Sequence, residues 1–332
     1  MNKRHTSVSL SFCRLGTLLC LVFLLQGCQS DGGKMVIAGV DRSYITQTSN
    51  IATANQPPAD TVILLHDYNS SGQQFFDSSQ IAASFGIRQM RVIAPDAIDG
   101  LFNSGSNPNS TVDDVAFLNA LIARYHAPQA RLVVLGIGTG ASMAARFATR
   151  SAYPLDGVGM VAGFMFDSTR LDTNLPDAST QSAAAAETTS FNQSLLNQAP
   201  LNQAPLSQAP PRKSVILYGE ADPLAPAVAR NITLNDGREL AIPGMQKTVN
   251  LWGQWLRCST SLSAVSYKII SQKNNIGCRN NSQFIELSIK NFGHYWAMPI
   301  PAEPPATDTF GPYLNKLNTT QLMLNTLLGA VE

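Results

Sequence analysis

Residues Arg131–Ala148 read RLVVLGIGTGASMAARFA, and the order of chemistries along them decides the fold. Leu132-Val133-Val134-Leu135 is a short continuous apolar run of the kind that forms a strand buried on both faces. Gly136-Ile137-Gly138-Thr139-Gly140 follows at once, and then small helix formers, so the stretch predicts a strand, a tight turn and a helix. The residue at the tip of the turn is Gly138, which has no side chain. Gly136, Gly138 and Ala141 also match the G-x-G-x-x-[GA] pattern of dinucleotide-binding turns. That pattern needs an acidic residue ending the next strand, about 20 residues on. Asp156 instead precedes the apolar run Val158–Val161, which argues against a nucleotide cofactor.

Working outward, the same grammar repeats. Thr61–Leu65 reads as a buried strand after the Pro57-Pro58 break and runs into the polar loop His66-Asp67-Tyr68-Asn69-Ser70-Ser71-Gly72. Met90–Pro95 is a further strand. Asp113–His126 reads as a helix capped by Ser110 or Thr111, with Val115, Leu118, Ile122 and Tyr125 on one stripe and His126 as a solvated cation at its end. Ser214–Tyr218 precedes Gly219-Glu220-Ala221-Asp222, and Phe284–Ile289 precedes Phe292-Gly293-His294. Val36–Val40 with Tyr44–Thr46 reads as an entry hairpin, and Thr319–Val331 as a terminal helix. Strand and helix alternate, which calls for a parallel sheet with polar loops gathered at the carboxyl ends of its strands. Residues 168–212 break the pattern with three near-copies of one pentapeptide, at Leu196–Pro200, Leu201–Pro205 and Leu206–Pro210. Their composition predicts a disordered insertion.

The 332 residues carry 44% hydrophobic side chains, enough for a large core, and a net charge of +1, which gives no reason to invoke nucleic acid. Lys3, Arg4 and Arg14 precede the apolar run Leu15–Leu25, and Leu25-Gln26-Gly27-Cys28 closes it. The run is short for a membrane span and suits a secretory signal. The tetrapeptide resembles a bacterial lipobox, which implies a signal peptide over 1–27, acylation of Cys28, a tether over 28–35 and a folded domain over 36–332. The expected place is the bacterial cell envelope, anchored to the outer membrane, since Gln29 and not aspartate follows Cys28, and facing the periplasm or the cell surface. Cys258 and Cys278 then remain for the domain and read as one disulfide in an oxidising compartment. No histidine lies between them, and no metal is expected.

The segments VILLHDYNSSGQQF, RVIAPDA, DDVAFLNALI, LVVLGIGTGASMAARFA, VILYGEADPLAP and GHYW, in that order, resemble the α/β-hydrolase esterases that include polyhydroxybutyrate depolymerases and feruloyl esterases. The resemblance implies an α/β-hydrolase fold, mostly a parallel sheet with helices on both faces, and the chain order nucleophile, acid, base. It puts the acid on Asp222 and the base on His294. It puts the oxyanion donors on the backbone of Thr139 and of the Asp67-Tyr68 loop. It puts the nucleophile on Gly138, where the family has serine. Asp67 stands where the family has glycine, and its carboxylate would oppose charge developing at an oxyanion site. Trp296-Ala297 replaces the more usual Trp-Pro.

Without a hydroxyl at Gly138 the covalent serine route is absent. The leading expectation is therefore a lipid-anchored relative of ester hydrolases, with no cofactor, that binds a small ester, a polyester or a protein partner at the old cleft. A working esterase that recruits Ser142, Thr139 or a histidine-activated water is the alternative. A structural envelope lipoprotein is a third.

Overall fold

Every residue of β5 (Leu132–Ile137) is buried, as a strand covered on both faces must be. A computed structural model describes residues 31–49, 59–106, 110–165, 209–226, 229–233, 237, 239–242, 244–301 and 305–331, and places β5 at the middle of a ten-stranded sheet. The expected signal peptide, Cys28 and most of the repeat-bearing insertion lie outside the described residues.

The other strands of this sheet are β1 (Asp31–Ile37), β2 (Val40–Thr48), β3 (Asp60–Leu65), β4 (Met90–Pro95), β6 (Gly157–Val161), β7 (Lys213–Gly219), β10 (Thr260–Tyr267), β11 (Ile270–Ile276) and β12 (Gln283–Ile289). They lie in the order β1-β2-β4-β3-β5-β6-β7-β12-β11-β10. The block from β4 to β12 is parallel throughout. Antiparallel hairpins extend it at both edges, β1–β2 against β4 and β10–β11 against β12. A separate small hairpin pairs β8 (Arg230–Thr233) with β9 (Glu239–Ile242).

The α-helices are α1 (Gly72–Ser78), α2 (Asp114–Tyr125), α3 (Thr139–Arg150), α4 (Met245–Trp255), α5 (Thr307–Phe310) and α6 (Thr319–Leu328), with short 3-10 turns at Ile81–Gly86, Ile98–Gly100 and Arg279–Asn281. The glycines show that helices cover both faces. A side chain on Gly136 would run into Gly140 and Ala141 of α3, whereas one on Gly159 would meet Met323 and Leu327 of α6. Gly136 pairs with Met160 and Leu135 with Gly159, so Gly136 and Gly159 point to opposite faces. The α/β-hydrolase architecture expected from sequence is the one observed. Met323, Leu324, Leu327 and Leu328 of α6 are buried in the core, each apolar side chain contributing roughly 1.5–3 kcal/mol of transfer free energy.

Local expectations needed three corrections. The strand β1 begins at Asp31, inside the stretch read as a tether, because residues from Asp31 onward pair with β2. The N-cap of α2 is Asp113, whose carboxylate accepts from Ala116 N, in place of Ser110 or Thr111. His126 is half-buried with Nδ1 3.1 Å from Thr61 Oγ1, and burial lowers its pKa, so it is not a solvated cation. Cys258 and Cys278 are joined in a disulfide, linking the end of α4 to the end of β11.

Candidate functional site

Four chain segments leave the carboxyl ends of parallel strands and converge: His66-Asp67-Tyr68 after β3, Gly138-Thr139 after β5, Asp222 after β7 and His294 after β12. Open α/β sheets collect their chemistry at this edge because loops there are free of the ladder yet rigidly mounted.

Gly138 sits at φ 53° and ψ −118°, a strained bend between strand and helix that an L side chain rarely adopts. Its amide donates to Val161 O at 2.9 Å, which pins the turn to β6. Gly140, two residues on, lies so close to the Leu65 and His66 carbonyls that a Cβ would overlap them, and this brings α3 against the β3 loop.

His294 and Asp222 meet as the resemblance implies. His294 Nδ1 lies 2.8 Å from Asp222 Oδ2, and Asp222 Oδ1 accepts from Leu224 N and Ala225 N, both at 2.8 Å. The His294 backbone is tied by its N–H to Phe310 O of α5 at 2.7 Å. The other ring nitrogen, Nε2, faces a second carboxylate: Asp67 Oδ2 lies 3.0 Å away. Asp67 Oδ1 accepts from Thr139 N at 2.8 Å, from Tyr68 N at 2.7 Å and from Thr139 Oγ1 at 3.2 Å. The two amides that the resemblance implies for an oxyanion thus both bind one oxygen of Asp67. A Cβ on Gly138 would overlap that carboxylate, so the room Asp67 occupies exists because residue 138 has no side chain.

The electrostatics follow from this sandwich. Burial pushes the His294 imidazole toward neutrality, but its hydrogen bonds to Asp222 and Asp67 and their charges outweigh it and raise its pKa to about 10. Burial likewise opposes ionisation of Asp67, and the His294 contact together with the Thr139 and Tyr68 amides holds it below the usual carboxylate range. These shifts favour an imidazolium at His294 facing an ionised Asp67. The expectation that Asp67 would repel developing charge is therefore refined: it is itself the anion that the donors stabilise.

Ser142 and Thr139 do not meet His294. The Ser142 hydroxyl is buried in α3, donating to Gly138 O at 3.2 Å and accepting from Phe164 N at 2.9 Å. The Thr139 hydroxyl turns to Asp67. His66 carries a structural role that sequence reading did not assign. Its Nε2 accepts from Ala97 N at 3.0 Å, so Nδ1 bears the proton and donates to Asp67 O at 2.7 Å, bracing the loop. Burial lowers its pKa and keeps it neutral. The signal that could have revealed the Asp67 contact is the pairing of a gained carboxylate at 67 with a lost side chain at 138.

No protein-family model matches this chain, and no curated protein does. Among solved structures it is similar to native pOPH, at 14% identity and a TM-score of 0.45, covering 82% of this chain and 83% of that one. It is also similar to the acetyl xylan esterase of Aspergillus awamori, at 16% identity and a TM-score of 0.45, covering 80% and 94%. A third likeness is to FphF, a fluorophosphonate-binding serine hydrolase of Staphylococcus aureus, at 15% identity and a TM-score of 0.37, covering 59% and 81%. The chemistry is read from the residues of the site itself. The sheet order, the bend at Gly138 and the convergence of Asp222 with His294 give this chain the α/β-hydrolase fold.

Proposed function

We propose that this chain is a bacterial envelope protein, lipid-anchored at Cys28, that descends from carboxylic-ester hydrolases of the polyhydroxybutyrate depolymerase type and has lost serine acyl transfer. Binding of an ester ligand or a protein partner at the cleft replaces ester turnover. One observation carries this reading: the Asp67 carboxylate spans the two donor amides and His294, in the space left by Gly138. An incoming ester carbonyl would find those donors taken, and His294 has no hydroxyl to deprotonate.

The test is hydrolysis of short-chain p-nitrophenyl esters by the soluble domain, compared across Gly138→Ser, Asp67→Gly and the double variant. The parent is expected to be silent. Gly138→Ser alone is expected to stay silent, because the new side chain meets Asp67. The double variant empties the amide pair and supplies the hydroxyl, and should turn over esters in a manner abolished by His294→Ala. Ester turnover by the parent that disappears with His294→Ala overturns the proposal.

A further inference from the structure

We propose that Asp67 is itself a nucleophile, and that the site hydrolyses an alkyl electrophile, a saturated carbon bearing a halide or comparable leaving group, through a covalent Asp67 alkyl ester. This rests on the reading that no hydroxyl serves His294, and goes beyond it by giving the carboxylate a reaction.

The two oxygens of Asp67 are differently employed. Oδ1 is held by the amides of Thr139 and Tyr68, while Oδ2 faces His294 Nε2. Attack on an acyl carbon would need free donors for the substrate oxygen, and Oδ1 occupies them. Attack by Oδ2 on a saturated carbon creates no oxyanion on the substrate, so occupied donors are no obstacle. The donors become useful in the next step, because Oδ1 is then the ester carbonyl oxygen and already lies where negative charge develops. Access is consistent with this assignment: the Asp67 side chain keeps 27% of its surface exposed, whereas those of His294 and Asp222 keep 5% and 0%.

In the first step an Oδ2 lone pair forms the O–C bond as the C–X bond breaks and X⁻ departs with the bonding pair. Alkylation cancels the Asp67 charge, one of the two anions that keep His294 protonated. His294 then loses its proton to solvent and becomes a base, oriented through Nδ1 by Asp222. In the second step Nε2 takes a proton from water as the water oxygen bonds Asp67 Cγ, and the carbonyl pair moves onto Oδ1 between the two amides. Collapse breaks Cγ–Oδ2, the alcohol leaves with the proton from Nε2, and the remaining carboxyl proton passes to His294, restoring the ion pair. The sum is R–X plus water giving ROH, X⁻ and H⁺. One Asp67 oxygen now comes from water, and the alcohol carries the former Oδ2.

The experiment uses 1-bromobutane with the parent protein, Asp67→Asn and His294→Gln, reading bromide release and the mass of the peptide carrying Asp67. The parent should release bromide, and a single turnover in ¹⁸O-water should label Asp67 and leave the butanol unlabelled. His294→Gln removes a base worth about 10²–10⁴-fold, so the butyl ester should accumulate on Asp67. Asp67→Asn should abolish both bromide release and the adduct. Absence of adduct in His294→Gln overturns the proposal, as does ¹⁸O appearing in butanol, which means direct attack by water. Either failure leaves the loss of serine chemistry standing, since that is judged separately by p-nitrophenyl ester turnover in the parent beside the Asp67→Gly, Gly138→Ser double variant.

Discussion

At the scale of single residues, Asp67 and Gly138 form one unit. Placing serine at 138 alone adds side-chain overlap with Asp67 to a bend that already costs of order 1–3 kcal/mol for an L residue. Thermal melting of the four-member cycle should show Gly138→Ser less destabilising when Asp67 is glycine, with a coupling of about 0.5–3 kcal/mol. The imidazolium sandwich also predicts a pH profile. His294 titrates near 6.5 when unperturbed and near 10 in the fold, so its contribution is complete below pH 6.5 and is lost as pH rises through about 10. Asp67 is shifted the other way from its ordinary 3.8, so its contribution is present above that value and is lost as pH falls through the lower folded-state value. Melting temperatures measured against pH should therefore fall on the alkaline side, and His294→Gln should flatten that limb. An unchanged alkaline limb in His294→Gln would show that the imidazole is neutral in the folded protein.

At the scale of elements, the pieces are held by local devices that can be removed one at a time. Asp113→Ala strips the α2 cap, whose carboxylate accepts from Ala116 N at 2.9 Å, and should cost about 1 kcal/mol in urea denaturation. The Cys258–Cys278 bridge closes a chain separation of 20 residues and staples α4 to the β10–β11 edge, beyond the parallel block. Reduction, or Cys258→Ser with Cys278→Ser, should lower stability by about 2–4 kcal/mol. The strands β3, β4, β5, β6, β7 and β12 were readable because fully or alternately buried strands carry apolar runs. The β10–β11 hairpin was not read because its segments are rich in Ser, Asn, Lys and Gln; β8 and β9 are four-residue strands too short to show a period, and α4 carries the helical spacing Met245, Thr248, Val249 and Trp252 that the sequence reading passed over.

At the scale of the molecule, the N-terminal hairpin is tied to the sheet's helical cover by a buried ion pair. Arg42 of β2 donates to Asp114 of α2 at 2.5 Å, with both side chains nearly sealed from water, and its guanidinium lies 4.2 Å from the Phe117 ring centre. Burial raises the Asp114 pKa despite this partner. Arg42→Ala leaves a buried carboxylate uncompensated and should cost about 3–5 kcal/mol, whereas Arg42→Met with Asp114→Leu should recover much of the loss in the same denaturation assay.

The sequence alone determined the alternation of strand and helix, the placing of Asp222 and His294 after strands, the glycine bend at 138 and the pairing of two cysteines. Each of these is written in residues adjacent along the chain, or in a count of residue types. What only the tertiary structure decided is the use made of Asp67. It lies 72 residues from Thr139 and 227 from His294, and neither interval leaves a local trace. Read from sequence, a carboxylate beside an oxyanion site is a repulsion. In the fold the packing of α3 against the β3 loop at Gly140, and the void at Gly138, let that carboxylate rotate into the donors and bind an imidazolium. The sign of its effect is set by distances of about 3 Å between groups that only the folded sheet brings together.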